Sequence, residues 1–372
     1  MARAKIHKRN PPDYVLLATL GLLVIVGLVI LASASSDLGR NKFHDSFYYL
    51  KHQLLFGLSL GLLGFGLAYG IDYQFYRRFA AIFLIVSIVL LGLVFTPMGA
   101  EVGRHAARWI RLGSFTFQPA EVVKLTFLLY LAAWLANTKV NRERSFWDGL
   151  VPFAAVSGMV ALLLILQPAT STVVILMAAA GVVYFVSGAH WRYMIGMVFL
   201  GVVALAAIIY ATPYRRERVL TYLNPSRDTQ NAAYHINQSL IAIGSGRVFG
   251  VGFGQSTSKI SFLPAPMDDS IFAVAAEEFG FVGAGALVSL FGSLVFRTFW
   301  IAWRVRDRFG RLLLVGFGSI IAFQTLINIG AISGLLPLTG VPLPFISYGG
   351  TALAVFMTMV GFTANISRYT SA

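Results

Sequence analysis

Acidic residues are scarce in this chain, so their placement carries weight. Asp268 and Asp269 follow Leu263-Pro264-Ala265-Pro266-Met267 and precede the apolar run that opens Ser270-Ile271-Phe272. Capping is one use for them, since Asp and Ser satisfy free N–H groups in the first turn of a helix. General-base chemistry is another. The helix N-terminus favours the charged carboxylate while an apolar surround favours the neutral acid, and a useful base needs part of the second effect. Glu277 and Glu278 lie further along the same helix. At about 100° per residue, Glu277 is turned roughly 80° from Asp269 and Glu278 roughly 180°, so neither stacks beneath it. A two-carboxylate retaining glycosidase is therefore unsupported, and bonds to neighbouring helices or internal water are expected for these glutamates.

Glu121 and Lys124, in Gln118-Pro119-Ala120-Glu121-Val122-Val123-Lys124, share a helix face at i,i+3 spacing. Pro119 suits the first helical turn and puts the pair near one end of its helix. A structural ion pair is the expected role. Gly244-Ser245-Gly246 and Gly250-Val251-Gly252-Phe253-Gly254 lack the spacing and the strand-helix context of a dinucleotide loop, so tight turns or close backbone approach are expected there. His105 and His235 have no carboxylate or second His at ligand spacing, which argues against a zinc site built by the protein.

The elements that must position these residues are apolar. Of 372 residues, 57% are hydrophobic and 12% charged, against roughly 25% charged in soluble proteins, so a soluble globular fold is excluded. The 29 Lys and Arg against 15 Asp and Glu give +14, which in this setting fits membrane topology and anionic lipid rather than nucleic acid. With zero Cys, disulfides, thiolate catalysis and cysteine-bound metals drop out. Apolar runs predict spans over 14–34, 50–71, 79–97, 119–137, 149–166, 170–188, 193–211, 270–298, 311–331 and 350–366. The expected fold is an all-α polytopic integral membrane protein, one domain over 1–372, with about ten transmembrane helices and a long extracytoplasmic loop, 212–269, between the seventh and eighth. The first span is expected to be retained as a helix rather than removed as a signal peptide.

Basic breaks at Arg3 to Arg9, Arg77 and Arg78, Lys139 to Arg144, Arg192 and Arg304 to Arg311 alternate to one side, which the positive-inside rule makes cytoplasmic, together with both termini. Arg104, Arg108, Arg111, Arg215, Arg216, Arg218, Arg227, Arg247 and Lys259 fall on the other side. The run Tyr214 to Leu223 mixes basic and apolar residues like a helix lying on an interface, either a juxtamembrane anchor or a cradle for an anionic lipid-linked substrate.

Several segments together resemble the SEDS (shape, elongation, division and sporulation) family of FtsW/RodA-like peptidoglycan polymerases. They are Ala107-Arg108-Trp109-Ile110-Arg111-Leu112-Gly113 with Gln118 to Leu125; Gln238 to Gly246 continuing to Lys259; Leu263-Pro264 to Asp269; Glu277-Glu278-Phe279-Gly280; and Asn328-Ile329-Gly330 to Gly350, which contains Pro342-Leu343-Pro344-Phe345-Ile346-Ser347-Tyr348-Gly349-Gly350. They cover nearly the whole chain in family order. The resemblance implies ten transmembrane helices and polymerisation of lipid II into glycan strands at the outer face of the bacterial plasma membrane. It puts Asp269 at the family's essential aspartate, so that capping and catalysis coexist, and matches Glu121 and Lys124 to a pair in the fourth helix. Three positions depart from the family pattern: Ala169 after Gln167-Pro168, and Ala265 after Leu263-Pro264, stand where an acid is usual, and Asp268 stands where a neutral residue is.

The reaction implied is an inverting glycosyl transfer with Asp269 as base and fixed positive charge in place of a general acid. Arg108, Arg111, Arg215, Arg216 and Lys259, with Ser347, are the expected substrate contacts. A divalent cation such as Mg or Mn is left open as a cofactor, with no metal ligands assigned. Expected partners are lipid II, the undecaprenyl-pyrophosphate-linked glycan, the membrane and a class B penicillin-binding transpeptidase, and not nucleic acid. The rival readings are a transporter of lipid-linked precursor and a catalytically weak scaffold of the division or elongation machinery.

Overall fold

The computed structural model describes residues 10–97, 99–101, 107–112, 115–137, 145–224 and 232–370; His105, Arg104, Lys139 and Arg227 lie outside them. Each expected span coincides with a helix. These are α1 (Tyr14–Phe43), α2 (Tyr48–Gly70), α3 (Tyr73–Leu93), α4 (Pro119–Leu135), α5 (Phe146–Leu166), α6 (Thr170–Val186) and α7 (Trp191–Ala211). The loop that follows holds α8 (Pro213–Leu223), α9 (Ala232–Ser245) and one short helical turn over Ser258–Ser261. The chain then forms α10 (Ile271–Arg304), α11 (Arg308–Ile332) and α12 (Gly350–Ser367). Eight of these are long and apolar enough to cross a membrane, α6 is shorter but apolar, and α4 is a 17-residue helix carrying the Glu121 and Lys124 pair. The chain is a multi-pass membrane protein.

Burial sorts the helices. α11 and α12 are enclosed along most of their length, whereas α7 buries none of its residues, although it is as apolar as its neighbours. Lipid supplies the missing apolar contact for such a helix, because its backbone is already satisfied internally. Short bonds gather both termini, the turn before α3 and the turn between α10 and α11 at one end of the bundle. Asn10 N donates to Arg368 O at 3.0 Å, Asp13 pairs with Arg297 at 2.9 Å, Gln74 Nε2 donates to Asp307 at 3.0 Å, and Arg308 donates to Ser187 O at 2.9 Å. Asp13, Asp72 and Asp307 start α1, α3 and α11 there by accepting backbone N–H groups.

The segments that follow α3, α5, α7 and α11 meet at the opposite end, where Arg108 reaches Gln167, Ser171 reaches Thr339 and Arg218 reaches Leu338. A three-stranded antiparallel sheet adds to the all-helical expectation: β1 (Gly99–Glu101), β2 (Ala107–Leu112) and β3 (Phe115–Phe117), with Trp109 opposite Ala100 and Arg111 opposite Thr116. Alternation in the Arg108-Trp109-Ile110-Arg111 run turns Ile110 into the protein and leaves Arg111 exposed.

Helix α10 is broken at Gly280, which takes φ 67° and ψ −167°. The break frees backbone groups that the 247–252 segment satisfies: Val251 N and Gly252 N donate to Glu277 O and Glu278 O at 3.0 and 3.1 Å, while Phe281 N and Val282 N donate to Arg247 O and Val248 O at 2.9 and 3.1 Å. Here the glycine cluster does what close approach requires. A Cβ at Gly250 would fall 2.1 Å from Glu278 O, and its φ of +83° already disfavours a side chain. Gly250→Ala should therefore lose at least about 1–2 kcal/mol from backbone conformation alone, with the clash added, and melt earlier in detergent. Gly244→Ala, whose Cβ meets nothing within 4 Å, should melt at or above the wild-type temperature. Equal melting of the two variants would show that the 247–252 segment does not dock on the broken helix.

Candidate active site

The segment entering α10 is gripped by the loop between α11 and α12. Ser270 is the N-cap residue by position, yet its side chain makes no capping bond; its Oγ donates to Pro264 O at 2.8 Å. Neither aspartate caps the helix, which corrects the capping expectation. Asn328 on α11 holds the segment instead, its Nδ2 donating to Asp269 O at 2.9 Å and to Val341 O at 2.7 Å. Tyr348 N donates to Met267 O at 2.9 Å, and Ser347 Oγ donates to Asp268 O while accepting from Leu343 N at 2.8 Å. Ser347, expected as a substrate contact, is buried in this clamp.

So held, Asp269 is half-buried, and its Oδ1 is enclosed without a hydrogen-bond partner. Oδ2 lies against Gly340, where a methyl group would sit 3.7 Å from it and 3.9 Å from Nη1 of Arg218. Burial pushes the Asp269 carboxyl above the ordinary carboxylate range; His235, the neighbouring backbone N–H groups and Arg218 pull the other way. Asp268 is pushed up to about 7 by burial first and by the Asp269 charge second, with Lys42 opposing. The two adjacent carboxyls are thus poised differently from surface aspartates, as a base working near neutral pH requires.

Cations approach from α8 and β2. Arg215 and Arg218 are half-buried, Arg216 and Arg111 exposed. Arg108 reaches the turn between α5 and α6, where Nε donates to Gln167 O at 3.0 Å and Nη2 to Pro168 O at 2.5 Å. Its guanidinium is held below its ordinary value by burial, Tyr214 opposing and Arg218 and Arg215 adding their repulsion. Arg218 donates to Leu338 O at 3.0 Å and to the Tyr214 hydroxyl, and stacks 4.6 Å from that ring. Arg108 thus lies close to both Arg215 and Arg218, and Arg218 is the guanidinium that approaches Asp269, an arrangement suited to a dianionic leaving group.

The Glu121 and Lys124 pair is buried, with Nζ 2.7 Å from Oε1 of Glu121 and 2.8 Å from Oε1 of Gln324. Gln324 Nε2 in turn donates to Pro342 O at 2.9 Å. The pair thus braces the very loop that holds Asp269. Lys259 has a different neighbourhood from the one expected. It is buried, with Nζ 2.6 Å from Glu278, 2.7 Å from Ser33 Oγ and 3.0 Å from Gly254 O, so its charge is neutralised inside the protein rather than offered to a pyrophosphate. Glu277 accepts from Ser256 Oγ at 2.6 Å and from Thr257 N at 3.2 Å, so its partners come from the preceding loop rather than from a neighbouring helix.

Sequence reasoning had Arg218 among the basic residues of the loop but did not single it out, and gave His235 and Asn328 no role at the site. No local signal marks His235 and Asn328, because Ser270 and Asp269, the residues they hold at the site, lie 35 and 59 residues away. Among the described residues no group of three or more His, Asp and Glu side chains is disposed to hold a metal ion. The donor set is one of a carboxylate and guanidiniums.

Two outcomes follow. Lys124→Ala leaves Glu121 buried without its partner and should lower folded yield and melting temperature, at a cost of about 3–5 kcal/mol; unaltered stability with lost turnover would point to direct chemistry instead. For Asp268, a folded-state pKa raised to about 7 means that its contribution to stability is present at low pH and lost as pH rises through that value. Asp268→Asn should therefore gain stability over wild type at pH 8 relative to pH 5, read by thermal melting in detergent. An advantage that does not change with pH would show an ordinary, solvated carboxylate.

Residues 13–372 match the cell cycle protein family FtsW/RodA/SpoVE. The chain is 36% identical to stage V sporulation protein E of Bacillus subtilis over 97% of its own length and 98% of the relative's. It is 38% identical to a probable peptidoglycan glycosyltransferase FtsW of Thioalkalivibrio sulfidiphilus, over 95% of this chain and 88% of that one. Among solved structures it superposes on a chain of a peptidoglycan synthase complex, a study of coordinated polymerization and crosslinking, with TM-score 0.78, 30% identity and 96% and 98% coverage. The rod shape determining protein RodA of Thermus thermophilus follows at TM-score 0.71, 30% identity and 97% and 98% coverage. Matched along nearly its whole length in both sequence and fold, the chain belongs to the FtsW/RodA/SpoVE family.

Proposed function

We propose that this chain is a peptidoglycan glycosyltransferase that polymerises lipid II at the outer face of the bacterial plasma membrane. The single observation that carries the reading is a buried, unpartnered Asp269 carboxylate oxygen close to Arg218, which in turn lies close to Arg108. Relatives bearing the glycosyltransferase name share about a third of its residues, which supports the same chemistry.

In this reading Asp269 takes the proton of the acceptor sugar 4-hydroxyl as that oxygen bonds to the anomeric carbon of the growing strand. The bond from that carbon to the pyrophosphate oxygen breaks, the configuration inverts, and undecaprenyl pyrophosphate leaves with both electrons. Arg108, Arg215 and Arg218, with Arg111 and Arg216 at the rim, hold the charge that develops on it. A general acid is not needed when fixed cations stabilise the leaving group.

The end carrying both termini and Arg304 to Arg311 is cytoplasmic in this reading, by the bias of basic loops, and the site is extracytoplasmic. A class B penicillin-binding transpeptidase is the partner, supported by the likeness to a synthase complex that couples polymerization with crosslinking.

The test is purified protein in detergent given lipid II. Asp269→Asn should fold normally and lose about 10²- to 10⁴-fold in rate, roughly 3 to 5 kcal/mol of barrier. Asp268→Asn should lose much less. A near wild-type rate for folded Asp269→Asn, or a dead Asp268→Asn, would move the base elsewhere.

A further inference from the structure

His235, on α9, is buried, although an isolated histidine in an amphipathic loop helix would more often face solvent. Its Nε2 lies 2.5 Å from Ser270 Oγ. That hydroxyl has a single hydrogen, and it goes to Pro264 O at 2.8 Å. Ser270 must then accept from the imidazole, which fixes the proton on Nε2 and leaves Nδ1 as the atom that gains or loses one. This explains why a serine at the N-cap position of α10 does not cap: its hydroxyl is committed to the ring and to the Pro264 carbonyl. Ser239 Oγ donates to His235 O at 2.8 Å and ties the same turn of α9.

The ring is close enough to Asp269 for their charges to be felt by both. Burial lowers the proton affinity of His235 first, the Asp269 carboxylate opposes that, and Arg218 on α8 adds to it. Asp269 feels His235 as its largest charge-based pull towards the ionised form, ahead of Arg218. The Asp269 charge in turn pushes up Asp268, next in the chain. Two titrating groups so coupled change protonation as a pair.

We propose that His235 is a positioning residue for the glycosyl transfer, an imidazole locked by Ser270 beside Asp269 so that the carboxylate stays ionised and aimed until the acceptor hydroxyl arrives. The proposal rests on Asp269 being the base. Its geometry spans three separate elements: α9 brings the ring, the turn entering α10 brings Ser270 and Asp269, and the Pro264 carbonyl completes the lock. No bond is made or broken at His235.

The test measures kcat/KM for lipid II polymerisation against pH in wild type, His235→Gln, Ser270→Ala and Asp269→Asn. Gln keeps an N–H for Ser270 but never carries a charge, so His235→Gln should fold and approach the wild-type rate at alkaline pH. Its acid limb should move up by about one pH unit, giving an about tenfold deficit below neutrality. Ser270→Ala frees the ring and should shift the same limb in the same direction. A His235→Gln profile that superimposes on wild type overturns the proposal, and so does a loss that is uniform at every pH. Should His235→Gln not fold, an unshifted Ser270→Ala profile overturns it alone. A fully active Asp269→Asn is a different result, since it removes the base rather than its positioning residue.

Discussion

A helix interrupted within a membrane protein leaves backbone groups that lipid cannot satisfy, and everything around the site follows from how this chain meets that constraint. The interruption at Gly280 in α10 is met by the 247–252 segment, whose amides and carbonyls replace the missing helical bonds. The segment can come close enough only because Gly250 and Gly280 have no side chains at the contact. Docking it there draws the rest of the loop along. Ser256 reaches Glu277 and Lys259 reaches Glu278, so two intrahelical carboxylates acquire partners from the loop, and Ser33 of α1 closes the second cluster.

Charges in the protein then fall into two groups. Among the described residues, two buried pairs form, Glu121 with Lys124 and Glu278 with Lys259, each at less than 3 Å, while buried Glu277 is held by Ser256 and Thr257. A pair of this kind is weak as a source of stability but expensive to break, so it acts as a framework. The charges at the site are arranged otherwise. Asp269 keeps an oxygen buried and unpartnered, and Arg108 is held by two carbonyls rather than by an acid. Ala169, next in the chain after those carbonyls, offers the guanidinium no acid. Desolvation that is not compensated by a partner is what raises the Asp269 carboxyl, and reactivity and structural cost here have the same origin.

The framework and the site are joined mechanically. Lys124 meets Gln324, Gln324 meets Pro342, and Asn328 one turn along α11 meets both Val341 and the Asp269 carbonyl. The loop between α11 and α12 thus translates the buried ion pair into a fixed height for the segment carrying Asp269. Its motif, Pro342 to Gly350, is consequently a clamp, and Ser347 belongs to it rather than to a substrate surface.

Composition and periodicity were enough to establish a polytopic membrane protein, the ten apolar helices, the Pro119 start of α4 and the Glu121 and Lys124 pair, because each is encoded within a few residues of itself. The alternation of basic breaks foretold that the turns before α3, after α6 and between α10 and α11 share an end, and motif order pointed to Asp269. What sequence could not supply was the identity of long-range partners. Lys259 looked like one external cation among several, yet it pairs with Glu278 inside the protein. Ser270 looked like a helix cap, yet it holds His235. Arg218 was one loop arginine among several until Gly340 brought it beside Asp269. Short strands at 99–117 were hidden by their length. Local pattern reports the face a residue presents, whereas pairing and desolvation depend on which segment arrives opposite it, and in this chain that was decided by where α10 breaks and what docks on the break.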